Sequence, residues 1–152
     1  MDENEYRRVA GNYDPQHCHF ARAILMRCAG CNCSQRVLIA EREAVHCMSP
    51  AGNARCGTLL PMMREKALFA LGLAHAAPQL PHGKEVKVEC GGLGALARLA
   101  GREALPDIDS LLQAVEAIYD TPDAIQWEEV VRGISHYTLR RRSRPGGGPG
   151  HP

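Results

Sequence analysis

Cys28-Ala29-Gly30-Cys31-Asn32-Cys33-Ser34-Gln35-Arg36-Val37-Leu38-Ile39, residues 28–39, is the stretch on which the fold turns. Three sulfurs fall within its first six residues. The remaining six open a helix at Ser34 or form a strand over Val37-Leu38-Ile39. Ser is a favoured helix N-cap, and Val37, Leu38, Ala44 and Val45 can supply an apolar helical face. The residues therefore predict helix, cysteine loop, helix. Gly30 and Asn32, both tolerant of positive φ, permit the tight turn that three converging thiols require.

Upstream, Asp14-Pro15 has the form of an N-cap followed by proline at the first helical position, where the missing N–H costs nothing. Phe20, Ala21, Ile24, Leu25 and Cys28 come next at helical spacing, and Gly30 ends that helix. Residues 1–13 are polar and read as a flexible N-terminus. Downstream, Ser49-Pro50 opens a short helical turn carrying Cys56, and Thr58 precedes a longer helix through Leu60, Met63 and Ala67. Glu85 to Cys90 alternates charged and apolar residues and predicts the chain's one strand. Gly91-Gly92 leads to a helix through Leu93, Leu96 and Leu99. Asp107 or Asp109 caps the next, with Leu112, Val115, Ile118 and Tyr119 on its face. Thr121-Pro122 precedes a last helix bearing Trp127, Val130, Val131 and Ile134. The expected fold is mainly α: a single compact helical domain of five to six helices over 14–139, with a cysteine-rich metal-binding loop. Residues 140–152, Arg140 to Arg144 and then mostly Gly and Pro, read as a disordered basic tail.

A chain of 152 residues with 45% hydrophobic residues can build a core without cross-links. A formal net charge of +1 argues against bulk attraction to nucleic acid or membrane. No stretch approaches the ~20 apolar residues of a bilayer span, and Met1-Asp2-Glu3-Asn4-Glu5 lacks a secretory apolar region. The expected location is cytoplasmic, where thiols are kept reduced. Seven cysteines there point to metal or redox chemistry before disulfides.

Cys28, Cys31 and Cys33 form C-x2-C-x-C; thirteen residues separate Cys33 from Cys47, and eight separate Cys47 from Cys56. Clustered thiolates repel one another unless a cation neutralises them. Structural zinc favours paired two-residue knuckles. One tight triple and two later single cysteines fit a cluster better, [4Fe-4S] or [2Fe-2S], with zinc as the alternative. Five cysteines compete for four positions. Cys28 has a core explanation on the first helix, so the expected ligands are Cys31, Cys33, Cys47 and Cys56, with Cys28 as first substitute. Arg27, Arg36, Arg42 and Arg55 are near in sequence and are expected to tune the centre.

The Cys28–Cys33 hexapeptide resembles the C-x2-C-x-C loop that holds a [2Fe–2S] cluster in redox-sensing MerR-type regulators. The likeness covers six residues of 152. It implies a cofactor class. In that family the fourth cysteine comes after a short gap, and no winged DNA-binding region precedes the loop here.

Cys18, His17 and His46 are secondary ligand candidates, and Cys90 reads as packed. Gly92-Leu93-Gly94-Ala95-Leu96-Ala97 matches G-x-G-x-x-A, but no second strand comes after it to complete a dinucleotide site; close helix packing through small residues explains it better. No catalytic constellation is present. The expectation is an iron–sulfur protein in electron transfer or redox sensing, with a protein redox partner; the alternatives are a zinc-stabilised interaction module or a relay subunit of a larger redox enzyme.

Overall fold

A computed structural model describes residues 14–75, 80–102 and 105–139. The predicted N-terminus 1–13 and basic tail 140–152 lie outside the described residues. The chain is mainly helical with one small sheet. In order it forms α1 (Ala21–Leu25), β1 (Ser34–Ile39), β2 (Arg42–Cys47), α2 (Pro50–Lys66), α3 (over 82–99), α4 (Ile108–Ile118) and α5 (Trp127–His136). No helix among the described residues is long and apolar enough to cross a membrane.

The helix expected after the cysteine loop is an antiparallel hairpin. β1 and β2 pair with Ser34 opposite Cys47, Val37 opposite Ala44 and Ile39 opposite Arg42. Val37, Ile39 and Val45 are β-branched and favour the pleated backbone. Val45 and Cys47, two apart on one face of β2, are buried on its core side, while Ala44 is buried on the other face against Ile39. The turn residues Ala40 and Glu41 both have positive φ, 51° and 68°. That is the geometry of a two-residue hairpin loop usually built from Asn and Gly. Neither residue advertises the turn, so the local pattern favours a helix that the tertiary structure does not form.

The first helix is shorter than expected. Asp14 accepts from the Gln16 N–H at 2.9 Å and pairs with His46 Nδ1 at 2.7 Å. Residues 16–18 run extended beside β2: the Cys18 N–H donates to Val45 O at 2.8 Å and the Cys47 N–H to Gln16 O at 2.7 Å. α2 is one helix from the Ser49 cap, whose Oγ accepts the Gly52 N–H at 3.0 Å. Thr58 starts nothing new; its hydroxyl donates to Ala54 O at 3.1 Å within the helix.

The predicted strand over Glu85 to Cys90 is the start of α3. Its alternation is deceptive, because Glu85 and Glu89 stand four apart on one helical face and both point inward, 1% and 2% exposed. Arg64 of α2 grips Glu85 with two bonds of 3.0 and 2.9 Å. Glu89 accepts the Ala23 N–H at 2.9 Å. Burial, then the neighbouring Glu85, pushes the Glu89 carboxyl well above the usual range. α3 widens into a π-helical turn over Lys87–Gly91. The G-x-G-x-x-A segment lies within the helix, away from any strand–turn–helix unit. Gly91 and Gly92 let α5 and α2 approach: a Cβ at Gly91 would fall 2.6 Å from Gly133 O, and one at Gly92 would strike Met63. Asp107 caps α4 by accepting the Ser110 N–H at 3.0 Å. Phe20, Leu60, Met63, Leu93, Leu96 and Ile134 form the centre of the core.

Two outcomes test this packing. Replacing Ala40-Glu41 by Asn-Gly relieves left-handed strain and raises stability by about 1 kcal/mol, read as a denaturant-midpoint increase. Arg64→Met strands the Glu85 carboxylate and lowers stability by about 3–5 kcal/mol, whereas Arg64→Met with Glu85→Leu recovers most of that loss.

Candidate metal centre

The hairpin closes the thirteen-residue interval between Cys33 and Cys47. With Ser34 opposite Cys47, the flanking residues meet too, and the Met48 N–H donates to Cys33 O at 2.8 Å. The cysteine loop is clamped from its other side by the start of α4. Gly30 N–H donates to Pro106 O at 3.1 Å, Ile108 N–H to Gly30 O at 2.8 Å, and Asn32 N–H to Asp107 Oδ1 at 2.7 Å. Asp107 thus caps α4 and holds the loop at once. α2 runs on from the end of β2 and delivers Cys56, while the extended pairing of residues 16–18 delivers Cys18.

Five free cysteines therefore line one pocket: Cys18, Cys31, Cys33, Cys47 and Cys56. His19, Ser34, Asn53 and Asp109 complete its polar wall. Cys18 and Cys47 are buried and the other three half-buried. Cys33 Sγ donates to Asn32 Oδ1 at 3.2 Å, Cys47 Sγ to Ser49 O at 3.3 Å. His19 Nε2 lies 3.3 Å from Asn53 Oδ1.

The electrostatics oppose ionisation. Burial, then Asp109, Cys31 and Cys47, pushes the Cys33 thiol up to about 11. Burial, then Cys31, Cys47 and Asp109, pushes Cys56 up to about 12 against the lowering effect of Arg55. Burial raises Cys18 further and Cys31 as well. Thiols so disposed are poor nucleophiles at neutral pH. A bound cation inverts that balance by favouring the thiolates.

Among the described residues, no group of three or more His, Cys, Asp or Glu side chains is arranged to hold a metal ion. The space between the sulfurs is about 10 Å³, about one water's worth.

Of the sequence candidates, Cys31, Cys33, Cys47 and Cys56 are brought together and Cys28 is not. Cys28 is joined to Cys90 in a disulfide, S–S 2.16 Å and Cα–Cα 5.8 Å, which departs from the expectation of seven reduced thiols and of a merely packed Cys90. Cys18 takes the fifth position. Its signal is non-local, a strand-like pairing with β2 that the Asp14-Pro15 motif conceals. His17 and His46 sit opposite each other at a β-bridge and do not line the pocket. Of the expected arginines, Arg55 is beside the pocket, 3.6 Å from Asp109 and 3.0 Å from Glu116. Arg36 pairs with Glu43 at 3.2 Å on the hairpin. Arg27 lines a different cavity.

No protein-family model, curated protein or solved structure matches this chain.

The disulfide spans 62 residues, so its loss costs about 4 kcal/mol by the loop-entropy relation. Cys28→Ser and Cys90→Ser are expected to lower the thermal midpoint equally, and a strong reductant to lower that of wild type by the same amount while leaving the variants unmoved.

Proposed function

We propose that the five-cysteine pocket holds an iron–sulfur cluster, and that the protein passes electrons to a protein partner or responds to redox state through it. The observation that carries this reading is the convergence, from four separate segments, of five free thiols on one pocket. Five protonated thiols, two buried and three half-buried, have no packing advantage over aliphatic side chains. The cluster would draw four ligands from the five, with Cys31, Cys33, Cys47 and Cys56 first and Cys18 as the substitute.

A cluster spreads its ligands over several irons, so it accepts thiols from more widely dispersed backbone than a mononuclear zinc site does. Taking one up requires more than the present 10 Å³. The half-buried Cys31 and Cys33 lie on a loop held to 106–108 by two backbone–backbone bonds and one bond to the Asp107 carboxylate. When bound, the cluster supplies a one-electron couple. The chain contributes anionic ligands, a nearby carboxylate at Asp109, and Arg55, which partly neutralises it at 3.6 Å. Net negative charge beside a cluster favours its oxidised state.

The test is purification without oxygen, or reconstitution with iron and sulfide, and then metal and sulfide analysis. The expected protein is brown, with broad visible sulfur-to-iron absorption. Cys31→Ala and Cys33→Ala lose most iron, Cys28→Ala keeps it, and Asp109→Asn raises the midpoint potential. Stoichiometric zinc, or no metal with all five thiols open to alkylation, sinks the proposal.

A further inference from the structure

A second cavity lies on the side of the molecule where Cys28 meets Cys90. It is an open cleft of about 990 Å³ between the end of α1, the middle of α3 and the face of α5. That is the upper end of the size range of small-molecule sites. Its walls carry Arg27, Arg98, Arg102 and Arg132. Arg132 is paired with Glu129 at 3.2 Å, and Glu129 is the one acidic residue among the described residues lining the cleft. Arg27, Arg98 and Arg102 are exposed and form no ion pair with a described residue. The floor is left open by Gly94, where an added Cβ would meet only the Arg98 guanidinium, at 3.8 Å. Several guanidiniums around one concavity focus a positive potential and draw anions into it.

The wall also holds the disulfide itself, and its sulfurs are unequal. Cys28 is half-buried, while Cys90 is 4% exposed. A solvent-borne nucleophile therefore meets Cys28 first. We propose that this cleft admits a low-molecular-weight thiol bearing carboxylate groups, which the arginines hold while it reduces the Cys28–Cys90 bond. The thiolate attacks Cys28 Sγ; the Cys28–Cys90 bond breaks, and Cys90 leaves with the electron pair and takes up a proton. The product is a mixed disulfide on Cys28. A second thiolate attacks the small-molecule sulfur of that bond, releasing the oxidised disulfide and the Cys28 thiolate, which is protonated. Two thiols are oxidised and one protein disulfide is reduced. The anionic thiol is the only reductant the step needs. An inert anion would use the arginines equally well but would leave unexplained why they share the cleft with the disulfide.

The experiment measures reduction of the full-length chain by three probes: mercaptosuccinate with two carboxylates, neutral 2-mercaptoethanol, and cationic cysteamine. Alkylation of the Cys28 and Cys90 peptides is tracked by mass spectrometry, which keeps the five pocket thiols out of the signal. Each rate is expressed as wild type over Arg98→Gln/Arg102→Gln, so that each reagent's own reactivity cancels. The expected ratio is about tenfold for mercaptosuccinate, near one for 2-mercaptoethanol and below one for cysteamine, the first collapsing at high salt. In Cys90→Ala, mercaptosuccinate disulfide should leave an adduct on Cys28 more readily than the neutral disulfide does. Equal ratios for all three thiols, or Cys28 and Cys90 already reduced in protein isolated without reductant, would overturn the assignment. Neither result depends on whether the five-cysteine pocket holds metal.

Discussion

The backbone bonds that hold Ser34 opposite Cys47 organise the whole N-terminal half. They fold thirteen residues out of the way and turn a long sequence interval into a side-by-side contact. Once β2 is in register, its free edge accepts residues 16–18, and that second pairing brings Cys18 to the same place. The end of β2 then leads within three residues into α2, which carries Cys56. One register thus gathers Cys18, Cys33, Cys47 and Cys56. A slip of one residue would send Cys47 to the opposite face of the strand and break the set.

A two-stranded hairpin is marginal alone, so the helical half has to support it. It does so through Asp107, whose two carboxylate oxygens face different tasks: Oδ2 caps α4 at Ser110, and Oδ1 takes the Asn32 N–H. The cysteine loop is pinned by the same residue that starts a core helix. The helices are in turn drawn together by small residues where α3 crosses α5, Gly91 against Gly133, and by the Arg64–Glu85 pair between α2 and α3. Between those contacts lies the π-helical turn, from which Glu89 reaches Ala23 and Cys90 reaches Cys28.

These features are unequally visible in the residues. Caps with a local chemical logic are legible: Ser49-Pro50 and Asp107 start helices as their side chains suggest. The burial of Val130 and Ile134 is given by spacing alone. Sequence and structure part where local chemistry and tertiary partner disagree. Ala40 and Glu41 adopt a turn for which neither is suited. Glu85 and Glu89 look like a solvent face and are core, because Arg64 comes from 21 residues away to satisfy Glu85. At the site, four of the five pocket cysteines are recognisable from clustering. Cys28 and Cys18 exchange places, since which of them turns toward the pocket depends on β2 and α3, both distant in sequence.

The two sulfur arrangements are coupled through a short piece of chain. Cys28 belongs to the disulfide and Cys31 to the pocket, with only Ala29 and Gly30 between. Gly30 is itself bonded at both N–H and C=O to residues 106–108. The disulfide fixes one end of the loop against α3, and Asp107 fixes the other against α4. A loop anchored at both ends can present Cys31 and Cys33 only along a narrow range of directions, which lowers the entropy cost of bringing thiolates together. Repulsion among them still has to be cancelled by positive charge. Arg55, engaged with Asp109 and Glu116, supplies it only in part, at Cys56. On the reading proposed above, a metal centre would favour the thiolates and supply the balancing charge.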